Sequence, residues 1–270
     1  MSSNDSTSKT LMVALALCIV CSVIVSGAAV ILKPIQEINK TLDRKRNILA
    51  AAGMLEKNAT EEEINKQFSD INTRVVDLNT GKFADDAVDL ARYDPLKAAK
   101  DPDLSEALTT KQDLAKISRR EQYAVVYLVE NPQGDIEKVI LPIRGYGLWS
   151  TLYGFIALES DGNTIAGLGF YEHGETPGLG GEVDNPRWKA MWDGRKLYGP
   201  SNEPKAFVFK GPAPKDNPYA VDGLSGATIT SRGVTNLIRY WASDDGYRTF
   251  LDKLKIEIEN DKSSSSEGDK

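Results

Sequence analysis

The chain has 270 residues, enough for one large domain or two small ones with a real core. Its 33 basic and 39 acidic residues give a net charge of -6, and a mildly acidic chain lacks the basic footprint of a nucleic-acid binder. The single histidine, His173, rules out a His-rich metal site, and any Ser-His-Asp triad would have to pass through it.

Leu11 to Leu32 carries no charge and, at 1.5 Å per residue, spans roughly 33 Å as a helix, the thickness of a bilayer core. It reads as a retained anchor. A signal peptide cleaved near Ser26-Gly27-Ala28-Ala29 is the alternative, but Lys9 is the only basic residue before the run, and the run continues past Ala29. Both cysteines, Cys18 and Cys21, lie inside it at helical spacing, where packing is the ordinary role. The rest of the chain therefore has no disulfide or thiolate cluster. Lys33, Lys40, Arg44, Lys45 and Arg46 follow the span, so the positive-inside rule alone points the large domain to the cytoplasm.

Ile35 to Ala52 has the periodicity of an amphipathic helix ended by Gly53. Thr60 and Glu63 form a capping box for a helix over Glu61 to Asn72. A short strand is expected over Arg74 to Leu78, a polar surface connection from Asp85 to Ala107, and a helix over Leu108 to Ile117. Two hairpins follow. Tyr123–Val129 and Lys138–Ile143 flank Asn131-Pro132-Gln133-Gly134-Asp135; Leu152–Leu158 and Thr164–Tyr171 flank Asp161-Gly162-Asn163. Ala206 to Lys210 reads as a further strand. Arg144–Trp149 and His173–Gly181 read as glycine-rich loops. Ser231–Ala242 is a helix with Val234, Leu237, Ile238 and Trp241 on one face, and Tyr247–Ile256 is the last helix. Ser263–Lys270 is low-complexity and expected to be disordered. The expected fold class is α+β: an N-terminal transmembrane helix, then a soluble domain with an antiparallel sheet flanked by helices. The expected division is a tail (1–10), the span (11–32), a membrane-proximal helical and mixed region (33–120), a second soluble domain (121–258) and a disordered tail (259–270).

Three segments can carry chemistry. Asp222-Gly223-Leu224-Ser225-Gly226-Ala227-Thr228-Ile229-Thr230-Ser231 runs straight into a helix. Small residues there admit a ligand to the backbone, hydroxyls offer donors, and the helix start favours an anion. The alternative is a Ser/Thr N-cap on an ordinary helix. His173-Gly174-Glu175-Thr176-Pro177-Gly178-Leu179-Gly180-Gly181 is either a shaped loop able to pass a planar ligand or a long turn. Gly145-Tyr146-Gly147-Leu148-Trp149 reads foremost as aromatic packing against the core. The chain has no G-x-S-x-G elbow for a hydrolase, and no G-x-G-x-x-G after a strand for binding NADH itself.

With these motifs in this order, nearly the whole chain resembles the C-subunit family of the Na+-translocating NADH:quinone reductase. The likeness rests on the N-terminal span, Gly145–Trp149, Tyr153-Gly154, the His173–Gly181 loop and Asp222–Thr228. Val234 onward and the segment before Arg74 are less diagnostic. The flavin subunit of the related ferredoxin/NAD electron-transport complex shares the domain and is the nearest alternative. A non-redox anchored module using Ser225–Ser231 as an anion site is the other.

The resemblance implies that the soluble domain over 121–258 is flavin-binding, an FMN-binding domain, with FMN joined through a phosphoester to Thr228 and with Ser225, Gly226, Ala227 and Asp222 as the attachment motif. Glu175, Thr176 and Leu179 are then expected to contact the ring or ribityl chain. It also implies a separate transferase using FAD and Mg2+, with Asp222 in recognition or metal contact during that step. Further implications are partner subunits of a bacterial inner-membrane complex, a soluble domain on the periplasmic side, electron relay as the function, and no active site of the chain's own. On topology the resemblance and the charge count disagree, and the resemblance is preferred because neighbouring subunits can fix orientation.

Overall fold

The computed structural model describes residues 6–56 and 58–267, with 261–267 as backbone alone. In chain order the elements are α1 (Thr7–Ala51), α2 (Glu61–Ser69), β1 (Ile71–Asp77), β2 (Lys82–Phe83), α3 (Pro95–Ala98), β3 (Ser105–Ala107), β4 (Arg119–Glu121), β5 (Tyr123–Glu130), β6 (Ile136–Tyr146), β7 (Thr151–Glu159), β8 (Ile165–Glu172), α4 (Pro186–Lys189), β9 (Phe207–Val208), β10 (Ala220–Val221), α5 (Thr228–Trp241) and α6 (Arg248–Glu267). Short 3-10 turns cover Asp85–Ala87, Gly180–Asp184 and Ala190–Trp192.

The chain forms two compact units, Met1–Arg44 and Lys45–Lys270. Among the described residues the first unit is essentially α1 as far as Arg44. Among the described residues α1 is the one helix long and apolar enough to cross a bilayer, with mean hydropathy 2.8 over its best window. The expected span and the amphipathic helix expected after it are one element: α1 is continuous through Pro34, although proline removes one backbone donor.

The second unit is built on an antiparallel six-stranded sheet of order β2-β1-β5-β6-β7-β8. Both expected hairpins are present, because β-branched alternation and Asn/Gly/Asp turns agree. β5 is buried from Ala124 to Val129, so both of its faces are covered. On one face α5 lays Val234, Leu237, Ile238 and Trp241 into the core, joined by Phe250, Leu251 and Leu254 of α6. Gly145 lets α5 come close, since a Cβ there would collide with the Leu237 Cβ. The Trp241 indole N–H donates to the Arg144 carbonyl (2.8 Å) and the Tyr247 hydroxyl to the Pro142 carbonyl (2.8 Å). Arg144 is itself buried and paired with Glu121 at 2.8 and 2.5 Å, a charge pair that burial makes costly to break.

Several expectations are corrected. The capping box exists, with the Thr60 N–H donating to Glu63 (2.7 Å), but α2 ends at Ser69, and β1 starts at Ile71 rather than Arg74. The polar connection 85–107 carries α3 and β3. Leu108–Ile117 is not helical. The Asp113 carboxylate accepts from the Ile117 and Ser118 N–H groups (2.7 and 2.9 Å), and Lys116 and Ser118 take positive φ, so the side chain turns the backbone instead. β6 runs on to Tyr146, leaving only Gly147–Ser150 as a loop. β9 is shorter than expected, and it pairs in parallel with β10, a strand too short to leave a pattern in the sequence. α6 continues to Glu267, so the tail expected from 259 is helical as far as that residue, and 268–270 lie outside the described residues. The expected boundary at 120/121 falls inside the second compact unit, because β1 is part of the main sheet.

Candidate functional site

The three segments singled out in the sequence meet at one carboxylate. Glu175 is 5% exposed. Its Oε1 accepts from the Leu148 and Trp149 N–H groups at 2.9 and 3.0 Å, and its Oε2 accepts from the Thr230 hydroxyl at 2.5 Å. One side chain thereby ties the 147–150 loop, the 173–181 loop and the first turn of α5. Gly147 and Gly180 make room for it: a Cβ at either position would stand 2.6 Å from a Glu175 carboxylate oxygen. Burial pushes the Glu175 carboxyl up, but the hydrogen bonds from Thr230 and from the Trp149, Leu148 and Ser150 N–H groups outweigh it, so its pKa lies below the ordinary value.

His173 is structural in the same loop. Its Nδ1 accepts from the Glu175 N–H (3.2 Å), which leaves the Nε2 proton to donate to Asp184 (2.8 Å).

Helix α5 starts at Thr228, not at Ser231 as expected, and its N-cap residue is Ala227, with no side chain capping the turn. The first-turn N–H groups thus lack the Ser/Thr cap of an ordinary helix, and the anion reading gains over the capping one. A turn from Leu224 to Ala227 (3.1 Å) enters the helix, with Gly226 at φ 70°. An L side chain at 226 would be strained there, and its Cβ would meet Leu179 Cδ2 at 2.9 Å. The bare backbone at Gly226 therefore runs beside the exposed Leu179.

The hydroxyls of this segment divide sharply. Thr230 is fully buried and bonded to Glu175; Ser231 is buried and accepts from the Leu224 N–H (3.2 Å). Thr228 is exposed, as is Ser225 in the turn before it. Thr228 lines a cleft of about 350 Å³ shared with Lys210, Arg232 and Arg239. Asp222 lies outside that lining; its carboxylate accepts from the Ala213 N–H (2.8 Å), and its carbonyl from the Trp188 indole (2.8 Å), so it braces the approach to the turn.

Around the helix start, Thr176 is exposed, and Leu148, Trp149, Leu179 and Ile229 expose apolar surface, Trp149 at 66%. Packing of Trp149 against the core, the reading preferred from sequence, is not what the structure has. Of the expected contact residues, Thr176 and Leu179 are available to a ligand, while Glu175 is consumed in holding the loops. Sequence reasoning missed Lys210, Arg232 and Arg239. The helical spacing of Arg232 and Arg239 from Thr228 was the available signal. Among the described residues no group of His, Cys, Asp and Glu could hold a metal ion.

The residues present fit an FMN. An exposed hydroxyl stands on an uncapped helix turn, beside a cationic cleft, with a side-chain-free passage at Gly226 toward an apolar rim. The fold, an apolar N-terminal helix followed in sequence by an antiparallel sheet with helices, is that of a flavin-binding domain with an N-terminal extension, and the FMN-binding domain family matches residues 147–243. The chain is 54% identical over 259 residues to the Na(+)-translocating NADH-quinone reductase C-subunit of Pseudomonas aeruginosa, covering 94% of this chain and 98% of that one. It is 50% identical over 256 residues to the C-subunit of the same reductase in Vibrio vulnificus, covering 94% and 98%. The crystal structure of Shewanella oneidensis NqrC superposes with a TM-score of 0.75 at 34% identity, covering 81% of this chain and 99% of that one. The corresponding reductase C-subunit of Parabacteroides distasonis gives 0.62 at 30% identity, covering 82% and 96%. The chain belongs to the C-subunit family of the Na+-translocating NADH-quinone reductases, whose members are parts of an oxidoreductase complex.

Proposed function

We propose that this chain is the electron-relay subunit of a Na+-pumping NADH:quinone reductase and carries FMN as a phosphoester on Thr228. The observation that carries this reading is the division of hydroxyls: Thr228 is exposed on the uncapped first turn, while Thr230 and Ser231 are buried and already bonded. Attachment joins Thr228 Oγ1 to the phosphorus of the FMN half of FAD. The bond to the AMP half breaks, AMP leaves, and the hydroxyl proton passes to a base. A separate transferase with Mg2+ supplies the base and the charge neutralisation. Bound FMN supplies the electron chemistry, and the protein tunes it by contacts alone.

The chain's own residues do the rest. The first-turn N–H groups of α5, which no side chain caps, would hold the phosphoester oxygens. Gly226 would let the ribityl chain pass, and Leu179, Thr176 and Trp149 would line the ring. Glu175 acts through the backbone, fixing the loop that carries Trp149. The intact mass of the full chain, made with the transferase, should exceed the polypeptide mass by one FMN less one water. A chain with unmodified mass and no in-gel flavin fluorescence would refute the attachment and favour the scaffold reading.

We place the chain as a single-pass inner-membrane protein with its flavin unit in the periplasm, where the transferase also acts, held among the other subunits. The resemblance supports this orientation, and Lys33 to Arg46 speak against it. A version lacking the span should stay unmodified in cells whose transferase is exported, and become modified when it carries a cleavable secretion signal. Flavinylation of the retained version would reverse the topology.

A further inference from the structure

An acidic chain has gathered cations in one groove. The net charge is -6, yet the cleft that begins at Thr228 is lined by Lys210, Arg232 and Arg239 and, among the described residues, by no carboxylate. None of the three is ion-paired among the described residues. The cations form a row, not a cluster. Thr228, Arg232, Asn236 and Arg239 recur at helical spacing on one face of α5. Arg239 stands about 16 Å along the axis from Thr228 and about 10 Å from Arg232. The opposite wall is fixed. The Phe207 and Phe209 N–H groups donate to the Tyr219 and Val221 carbonyls (2.9 and 2.8 Å), and the Val208 N–H donates to the Thr235 hydroxyl (3.0 Å). The Arg239 guanidinium lies over the Phe207 ring, 5.8 Å from its centroid, and its Nε is buried without a hydrogen-bond partner. An acceptor brought to it from outside would relieve that cost. Unpaired cations spaced along a preformed groove suit an extended acidic segment of a protein, of which about five residues span 16 Å.

We propose that this groove, away from Thr228 at Asn236 and Arg239, is a docking surface for an acidic segment of the flavin transferase. Arg232 and Arg239 pair with its carboxylates, and the Asn236 amide between them donates to its backbone. The proposal rests on the reading of Thr228 as the attachment point. The groove opens at that hydroxyl, so a protein seated in it stands beside the group it has to modify. Recognition thereby extends past the Asp222–Thr228 motif, which contains no cation. The attraction comes from the acceptor chain and serves encounter and register, while the chemistry stays at the head of the helix.

The test uses the full chain in detergent, purified without flavin, as acceptor for purified transferase with FAD and Mg2+. Initial rates of covalent incorporation are read by in-gel fluorescence over a range of chain concentrations. Asn236→Asp/Arg239→Gln should raise the KM for the chain at least about tenfold and leave kcat within about twofold, because neither position reaches Thr228. Raising NaCl from about 50 to about 300 mM should raise the wild-type KM and barely move that of the double variant. Arg239→Lys keeps the charge, and its KM should stay within about threefold of wild type. An unchanged KM in the double variant would overturn the proposal, as would a loss confined to kcat. A KM as high in Arg239→Lys as in Arg239→Gln would assign the loss to packing on Phe207 and overturn it too. Wild-type transferase kinetics in a double variant that no longer joins the other subunits would give the groove to a subunit instead. The covalent reading fails separately, when the Thr228→Val chain is labelled as fast as wild type, whatever the KM of the double variant.

Discussion

Thr228 and Thr230 are near neighbours on the first turn of α5, yet the fold treats them as opposites. Thr230 is fully buried, and its hydroxyl is spent on Glu175 at 2.5 Å. Thr228 is exposed and faces a cleft lined by cations. Helical geometry is responsible, because a step of two residues turns a side chain to the far side of the helix. The difference teaches that a run of hydroxyls is not a run of equivalent nucleophiles: packing commits those that face the sheet and leaves the outward one for chemistry. The comparison also separates two kinds of damage. Changes on the Thr228 side should alter the flavin and spare the fold, whereas changes on the Thr230 side should loosen the fold first.

The largest effect is expected at Thr228. Thr228→Val keeps the shape and removes the nucleophilic oxygen, so covalent flavin should disappear entirely while thermal unfolding stays close to wild type. In-gel fluorescence reads the first and circular dichroism the second. Fluorescent Thr228→Val protein would move the attachment elsewhere, and Ser225 would be the first place to look because it is the other exposed hydroxyl of the motif.

Next come the residues around Glu175. Glu175→Ala strands the Thr230 hydroxyl and the Leu148 and Trp149 N–H groups, and should cost about 3 kcal/mol of unfolding free energy. Gly180→Ala pushes a methyl to within 2.6 Å of both Glu175 Oε2 and Thr230 Oγ1, and should cost about 1–3 kcal/mol. Denaturant midpoints measure both. Values near zero would mean that the loops hold their shape without the carboxylate.

Much of this arrangement is legible in the sequence, and the remainder is hidden for physical reasons. The hairpins around Asn131–Asp135 and Asp161–Asn163 can be read because alternation and turn chemistry agree there. The segment 108–117 cannot, since Asp113 bonds forward to the backbone and overrides an apparent helical pattern. The three glycine-rich segments stand out by composition, but their convergence on Glu175 is tertiary. Nothing in a linear sequence separates a buried acid bonded to two other segments from an exposed ligand contact. Trp149 shows the reverse failure: an aromatic residue in a glycine loop ordinarily packs inward, and here it is 66% exposed. Sequence places the start of α5 three residues late because Ser231 has the look of an N-terminal residue, whereas the helix begins uncapped at Thr228.

Acid sharpens the contrast between the two sides of α5. The folded-state pKa of Glu175 lies below its unfolded value because its hydrogen bonds outweigh burial. Its contribution to stability is therefore fully present above the unfolded pKa of about 4.3 and is lost as pH falls through the folded pKa. Glu175→Gln keeps an acceptor for the Leu148 and Trp149 N–H groups but cannot titrate. Between about pH 6 and about pH 3 the wild-type chain should lose more stability than the variant does. Equal acid slopes would show that Glu175 does not report through its charge. Thr228→Val should leave the wild-type slope intact, since no titrating group bonds to that side chain.

The smallest effect on stability is expected at Trp149, and there the two sides of α5 come back into contact through the ligand. The side chain is largely exposed, and its backbone N–H, not its ring, is what Glu175 holds. Trp149→Ala should therefore change the unfolding free energy by no more than about 0.5 kcal/mol. Attachment at Thr228 should proceed, because the acceptor hydroxyl and its cleft are untouched. The flavin itself should respond. An indole beside an isoalloxazine quenches its emission and restricts its rotation, so the variant should be brighter in the native state, with lower fluorescence anisotropy, and indistinguishable from wild type once denatured. Trp149→Phe should fall between the two. Native brightness unchanged by Trp149→Ala would mean that the ring lies away from the Leu148–Trp149 rim, and Leu179 and Ile229 would then mark the side to probe, because they carry the remaining exposed apolar surface at the head of α5.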